Sequence, residues 1–266
     1  MYNFEYHRPS SLGEAAALRR GNEDAIFMAG GQTLIPTLKQ RLAQPSAVID
    51  LHGVAELKGI RTEGDRLVIG AMTTHGEVHQ SEVVRSTIPV LSYVAELIGD
   101  PQVRHCGTIG GSIANNDPAA DYPAAVLGLG ATVHTDRRTI PADDFFTGMF
   151  ETALEEAEIV TAVSFPKPTR AGYAKFRNPA SRYAIVGVMV AQTTGGETRV
   201  AVTGAAPSVF RSAELERAFG SDFRPEAADG VTISPEGFNA DLHASAEYRA
   251  HLVKVMAKRA VQAAAV

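Results

Sequence analysis

The sequence predicts an α+β protein built from three units, and three observations carry that prediction. Short apolar runs alternate with helical patterns over the first 50 or so residues, as in a small layered unit. A hairpin pattern follows at residues 57–70, with turn formers at its tip. Beyond Pro166 and Pro168, three apolar strand patterns joined by turns read as an antiparallel meander. A chain of 266 residues has room for one large domain or two smaller ones and for a substantial core. Its apolar and charged fractions, 45% and 21%, are those of a globular protein and exclude a disordered or collagen-like chain.

Each element follows from local chemistry. Ser11-Leu12-Gly13-Glu14 fits a capping box, so a helix is expected over residues 12–20, ending near Gly21. Residues 25–28 read as a buried strand, followed at once by a glycine turn, a helix over 35–42 and a second strand over 47–51. Strands at 57–61 and 66–70 flank the turn formers Thr62-Glu63-Gly64-Asp65. Helices are expected over 74–85 and 90–98, then a glycine-rich loop over 107–121, a helix at 124–129, and strands at 131–135 and 158–165. Residues 166–170 read as a linker, because two prolines there resist regular structure. The three-stranded antiparallel meander takes residues 172–177, 183–193 and 198–204, and helices over 212–219 and 244–265 complete the chain.

Composition narrows the function. Thirty acidic against 25 basic residues give a net charge of −5, which offers no general attraction for nucleic acid or an anionic membrane. The most apolar stretches, such as 183–191, are about half the length of a membrane span, so no spanning helix is expected. The N-terminus has neither the basic nor the apolar region of a secretory signal, and a cytoplasmic protein is expected. Cys106 is the single cysteine, so this chain cannot supply the thiolates of an iron–sulfur cluster or a four-cysteine zinc site. Redox chemistry, if present, needs an organic cofactor.

Several familiar motifs are missing. There is no GxxxxGK[ST] and no HExxH, and Gly128-Leu129-Gly130 has Val133 where a dinucleotide fingerprint needs its third glycine. Adjacent His105 and Cys106 suit a base–nucleophile pair poorly, and Cys106 reads as a small buried hydrophobe. His75 reads as a turn or cap residue. Two glycine-rich segments remain. Ala29-Gly30-Gly31-Gln32-Thr33-Leu34 joins a strand to a helix, either as a plain tight turn or as a cluster of backbone amides that suits a phosphate. Thr108-Ile109-Gly110-Gly111-Ser112 offers a second amide-rich turn, and together the two could grip the two phosphates of one pyrophosphate. Asp121 sits at the mouth of the next helix, as its N-cap or as an acceptor for ligand hydroxyls.

Both segments, the second continuing as Ile113-Ala114-Asn115-Asn116-Asp117-Pro118-Ala119-Ala120-Asp121, closely resemble the two FAD signatures of molybdenum hydroxylase flavoproteins. These are the medium subunits of carbon monoxide dehydrogenase-type and xanthine dehydrogenase-type enzymes. Residues 4–12 and Ile69-Gly70-Ala71-Met72-Thr73-Thr74-His75 resemble the same family. The resemblance implies a bipartite FAD-binding domain of the PCMH, or vanillyl-alcohol-oxidase, type over residues 1–168, with subdomains at about 1–55 and 56–168. A smaller C-terminal domain follows over 169–266.

It also implies site roles. Residues 29–33 and 108–112 would bind the FAD pyrophosphate through backbone amides, and Asp121 would hydrogen-bond FAD. Ile159 would touch the cofactor with main-chain atoms, Lys175 would reach the flavin from the C-terminal domain, and Tyr183 would lie near the isoalloxazine ring. Carbon monoxide dehydrogenases carry His-Ser where this chain has Gln32-Thr33, and Gln is common among relatives acting on other substrates, so the resemblance leaves the substrate open. No catalytic residue and no metal ligand is expected on this chain. The implied partners are a small subunit with [2Fe–2S] clusters and a large subunit with the molybdenum cofactor, in a dimer of heterotrimers. The cysteine-rich [4Fe–4S] loop of some relatives is missing. The implied function is electron transfer from those clusters through FAD to an external acceptor. The alternatives are a stand-alone FAD-dependent oxidase of the same fold and a non-catalytic nucleotide-binding module.

Overall fold

In the computed structural model, which describes residues 1–264, each predicted unit forms its own main sheet. Ala265, the last residue of the predicted C-terminal helix, and Val266 lie outside the described residues. The first unit runs β1 (Glu5–His7), α1 (Leu12–Arg20), β2 (Ala25–Met28), α2 (Leu34–Lys39) and β3 (Ala47–Asp50). Its sheet is parallel, in the order β1-β3-β2. All four residues of central β3 are buried, as expected for a parallel strand covered on both faces. Only half of the predicted capping box forms: Ser11 Oγ accepts the Glu14 amide, while the Glu14 carboxylate accepts the Ser10 amide, one residue upstream of the cap. Helix α2 stops three residues before its predicted end, where Arg41 turns the chain at φ 61°.

The second unit opens with the predicted hairpin, β4 (Ile60–Glu63) and β5 (Arg66–Gly70), joined through Gly64 at φ +60°. Six helices follow: α3 (His75–Gln80), α4 (Glu82–Thr87), α5 (Pro89–Glu96), α6 (Pro101–Cys106), α7 (Ile109–Asn115) and α8 (Asp121–Gly128). The helix predicted over 74–85 is broken at Ser81, which is extended and whose hydroxyl caps the Val84 amide. Strands β6 (Thr132–Thr135) and β7 (Thr139–Pro141), helix α9 (Ala142–Phe145) and the hairpin β8 (Phe146–Gly148) and β9 (Glu151–Thr152) lead to β10 (Val160–Pro166). The sheet is antiparallel, ordered β4-β5-β10-β6-β7.

Residues 167–169 lead directly into the third unit: β11 (Arg170–Arg177), β12 (Ala184–Gln192), β13 (Thr198–Thr203), β14 (Phe210–Arg211), α10 (Ala213–Ser221) and α11 (Ala246–Ala264). A short fourth strand thus extends the predicted three-stranded meander. Strand β12 is apolar on both faces because it serves two cores. Met189 and Ala191 join Tyr173 and the second unit's core, while Val186, Val188 and Val190 pack with Val253 and Met256 of α11.

Candidate functional site

A cleft of ≈ 700 Å³ opens between the three units, a size typical of small-molecule sites. The β2–α2 turn forms one wall, the α6–α7 junction and α7 a second, and Lys175 and Tyr183 of the third unit close a third side.

The β2–α2 turn carries the amides. Gly31 adopts φ +71°, a conformation that L side chains rarely take. Among the described residues, nothing accepts the N–H groups of Gly30, Gly31, Gln32, Thr33 and Leu34. Five successive unpaired amides against a cleft make a concavity suited to an anion. The Gln32 side chain is exposed, with Nε2 3.5 Å from the Gly30 carbonyl.

The second segment behaves differently from the expectation. It is the N-cap and first turn of α7, not a loop, and the amides of residues 109–112 are already paired. Ile109 N–H donates to Thr73 O at 3.2 Å, Gly110 N–H to Ala71 O at 2.9 Å, and Ser112 N–H to Thr108 O at 3.0 Å. Gly111 N–H donates to Thr108 Oγ1 at 3.1 Å. The amides of residues 109–112 are thus taken by acceptors within the protein, and the segment presents the cleft with a polar, small-residue wall that carries the Thr108 and Ser112 hydroxyls. Ile109 faces the core, fully buried, and does not line the cleft.

The two segments touch. A Cβ on Gly30 would overlap the Cys106 carbonyl oxygen and come within 2.6 Å of Gly107 Cα. Gly30→Ala must push these backbones apart, at an expected cost of about 1–3 kcal/mol. Affinity of the cleft for a diphosphate ligand such as ADP is expected to fall ~10- to 100-fold, measured by titration; unchanged affinity refutes the contact's importance.

Asp121 is the first residue of α8, not its N-cap; that position is Ala120, without a side-chain cap. Both carboxylate oxygens are engaged: Tyr173 OH donates to Oδ1 at 2.6 Å and Lys175 Nζ to Oδ2 at 2.7 Å. Lys175 Nζ also donates to Leu97 O at 3.2 Å, which leaves one of its three N–H groups unassigned. Burial pushes the Asp121 carboxyl above the usual aspartate range, and the Lys175 charge pulls against that shift. The sequence paired neither residue with the other and missed Tyr173 altogether, because 54 and 52 residues separate the partners. At Ile159 the N–H donates to Asp136 Oδ1 at 2.8 Å and the carbonyl accepts the Asp136 amide at 2.9 Å. Ile159 is buried and lines the cleft. Tyr183 stands at the cleft, 47% exposed. His75, read as a cap residue, directly follows the true cap, Thr74, and is buried in the cleft wall.

Residues 2–168 match the family described as the FAD binding domain in molybdopterin dehydrogenase. The chain belongs to this family. It is an FAD-binding subunit of an oxidoreductase, similar along its length to medium chains of multi-subunit enzymes. The carbon monoxide dehydrogenase medium chain of Hydrogenophaga pseudoflava is 39% identical, with 98% of this chain and 96% of that protein aligned. The nicotine 6-hydroxylase medium subunit of Paenarthrobacter nicotinovorans is 36% identical over 96% of this chain and 95% of its own. Among solved structures, reconstituted CO dehydrogenase from Oligotropha carboxidovorans superposes with a TM-score of 0.92 at 35% identity, covering 99% of this chain and 98% of that one. Among the described residues there is no cluster of three or more metal-ligating side chains, and no helix is long and apolar enough to cross a membrane. The unpaired amides, the free Ser112 hydroxyl and the cleft's size fit an FAD with its pyrophosphate on residues 30–34.

Proposed function

We propose that this chain is the flavin-carrying link of a cytoplasmic molybdenum hydroxylase, in a dimer of heterotrimers. It transfers electrons from the [2Fe–2S] clusters of a small subunit to an external acceptor, while substrate is oxidised on a large subunit holding the molybdenum cofactor. FAD, when bound, supplies the chemistry that joins one-electron donors to one- or two-electron acceptors. The observation that carries this reading is the run of five unpaired amides at 30–34 facing a cleft lined by all three units. In it, residues 29–34 hold the pyrophosphate, Thr108 and Ser112 add hydroxyl contacts, Gly110 lets α7 pack on Ala71, and Gly111 lets it approach Ala29. The Lys175 ammonium, fixed by Asp121, supplies a directed positive charge, and Tyr183 shields the mouth. Residues 1–168 form the FAD-binding region of this proposal and residues 169–266 its C-terminal domain. In this reading the large subunit selects the substrate, which fits the medium chains of nicotine 6-hydroxylase and carbon monoxide dehydrogenase being about equally similar to this chain.

Purification of the native complex tests the reading. It is expected to yield a yellow protein, with flavin absorbance near ~450 nm, together with two further subunits, iron and molybdenum. A colourless chain that takes up no added FAD sinks it, as does a single-subunit oxidase. Ser112→Ala removes one hydroxyl without touching the α7 amides and is expected to weaken FAD binding by about 1 kcal/mol, roughly fivefold. Unchanged affinity in that variant removes Ser112 from the site.

A further inference from the structure

We infer that His75 is a ligand-contacting residue, its Nε2–H donating to an anionic oxygen of the group seated on the amides of residues 30–34. This inference rests on the flavin reading above. The imidazole lines the cleft at 5% exposure. Buried histidines normally give at least one ring nitrogen to the protein, yet no described residue hydrogen-bonds either nitrogen of this ring, and Nδ1 is sealed from solvent without a partner. A role in packing alone leaves that desolvation uncompensated, since an apolar side chain would fill the space without it.

Geometry directs the ring. A Cβ on Gly107 would come within 2.6 Å of Nε2, so this glycine is what leaves the ring edge open. A Cβ on Gly30 would come within 2.6 Å of Gly107 Cα, so the imidazole edge and the start of the unpaired amides both border Gly107 and the same cleft. The proton belongs on Nε2, because an orphaned buried N–H is rarer than an orphaned lone pair and nothing accepts from Nδ1. The flanking groups agree with a neutral ring. Tyr122 packs against it with ring centroids 5.3 Å apart, its own hydroxyl also unpartnered. Burial first, and then the Arg104 charge, pull the His75 pKa down to about 4.

The test compares wild type, His75→Leu and His75→Gln as flavin-free proteins titrated with FAD and, separately, with ADP, which carries the diphosphate without the flavin ring. His75→Leu is expected to weaken both ligands about tenfold. His75→Gln, which keeps an N–H at a similar reach, is expected to stay within about threefold of wild type. Thermal midpoints of the two variants at or above that of wild type in the absence of ligand assign the difference to the contact and not to unfolding. Wild-type affinity in His75→Leu overturns the inference, as does a loss for FAD without one for ADP, or a loss in His75→Gln as large as in His75→Leu. If wild type binds neither ligand, the flavin reading falls first and the inference with it, before any variant is compared.

Discussion

Asp121→Ala is expected to lower the free energy of unfolding by about 3–5 kcal/mol, the range for removing one partner of a buried ion pair. The reason is what it leaves behind. Lys175 and Asp121 have side-chain exposures of 3% and 5%, and the substitution strands the ammonium with only the Leu97 carbonyl for company. It also orphans the Tyr173 hydroxyl, which is fully enclosed and has Asp121 as its acceptor. Domain stabilities are typically about 5–15 kcal/mol, so the loss is large enough to shift a urea midpoint far outside error. Asp121→Asn, which keeps an oxygen for one donor, is expected to lose less. Removing both charges together, as Asp121→Asn with Lys175→Met, is expected to recover part of the loss. An Asp121→Ala midpoint within about 0.5 kcal/mol of wild type rules out the pair as a structural anchor.

Flavin-free wild type is expected to lose about 2 kcal/mol of stability between pH 6.5 and about pH 5 that a His75→Gln variant keeps. His75 titrates near 6.5 when unfolded and at about 4 in the fold. Between those values the unfolded chain binds a proton that the folded chain refuses, so stability falls as pH falls. The loss begins near pH 6.5 and is complete near pH 4, for a total of about 3 kcal/mol. Asp121, whose pKa is raised in the fold, works in the opposite direction, but it is present in both proteins and cancels in the comparison. Glu158, held down to about 2 chiefly by its hydrogen bond from Arg138, loses its contribution only below its ordinary range near 4.5. Urea unfolding of both proteins across this window reads the difference; parallel curves reject a buried neutral His75.

Signals confined to a few neighbouring residues were legible in the sequence. Helix α1, strand β2, the hairpin at β4 and β5 (with a tighter tip than the four residues expected) and the glycine turn at 30–31 follow from spacing, turn chemistry and polarity within a short window. The second glycine segment was recognised but misread. Glycines at 110 and 111 lower helix propensity, yet α7 forms because Thr108 caps it and the carbonyls of Thr73 and Ala71 take its first amides. Those acceptors come from the turn after β5, and no local pattern reveals them. The same holds for the Asp121–Lys175–Tyr173 cluster, where each residue was either a candidate alone or overlooked. His75 gave a capping signal only, since its burial depends on Gly107 and Tyr122 arriving from elsewhere.

The sharing of one core by the second and third units sets a limit on how this protein can be reused. The match to the FAD-binding domain ends at residue 168, but that stretch is not a portable cassette. Grafted elsewhere, residues 2–168 would carry the anion-binding turn intact while leaving the Asp121 carboxylate without its cation. The hollow filled by Tyr173 and Met189 would lie open to water. Any fusion or shuffling event that moves flavin capture to a new protein must therefore bring β11 and β12 along with it.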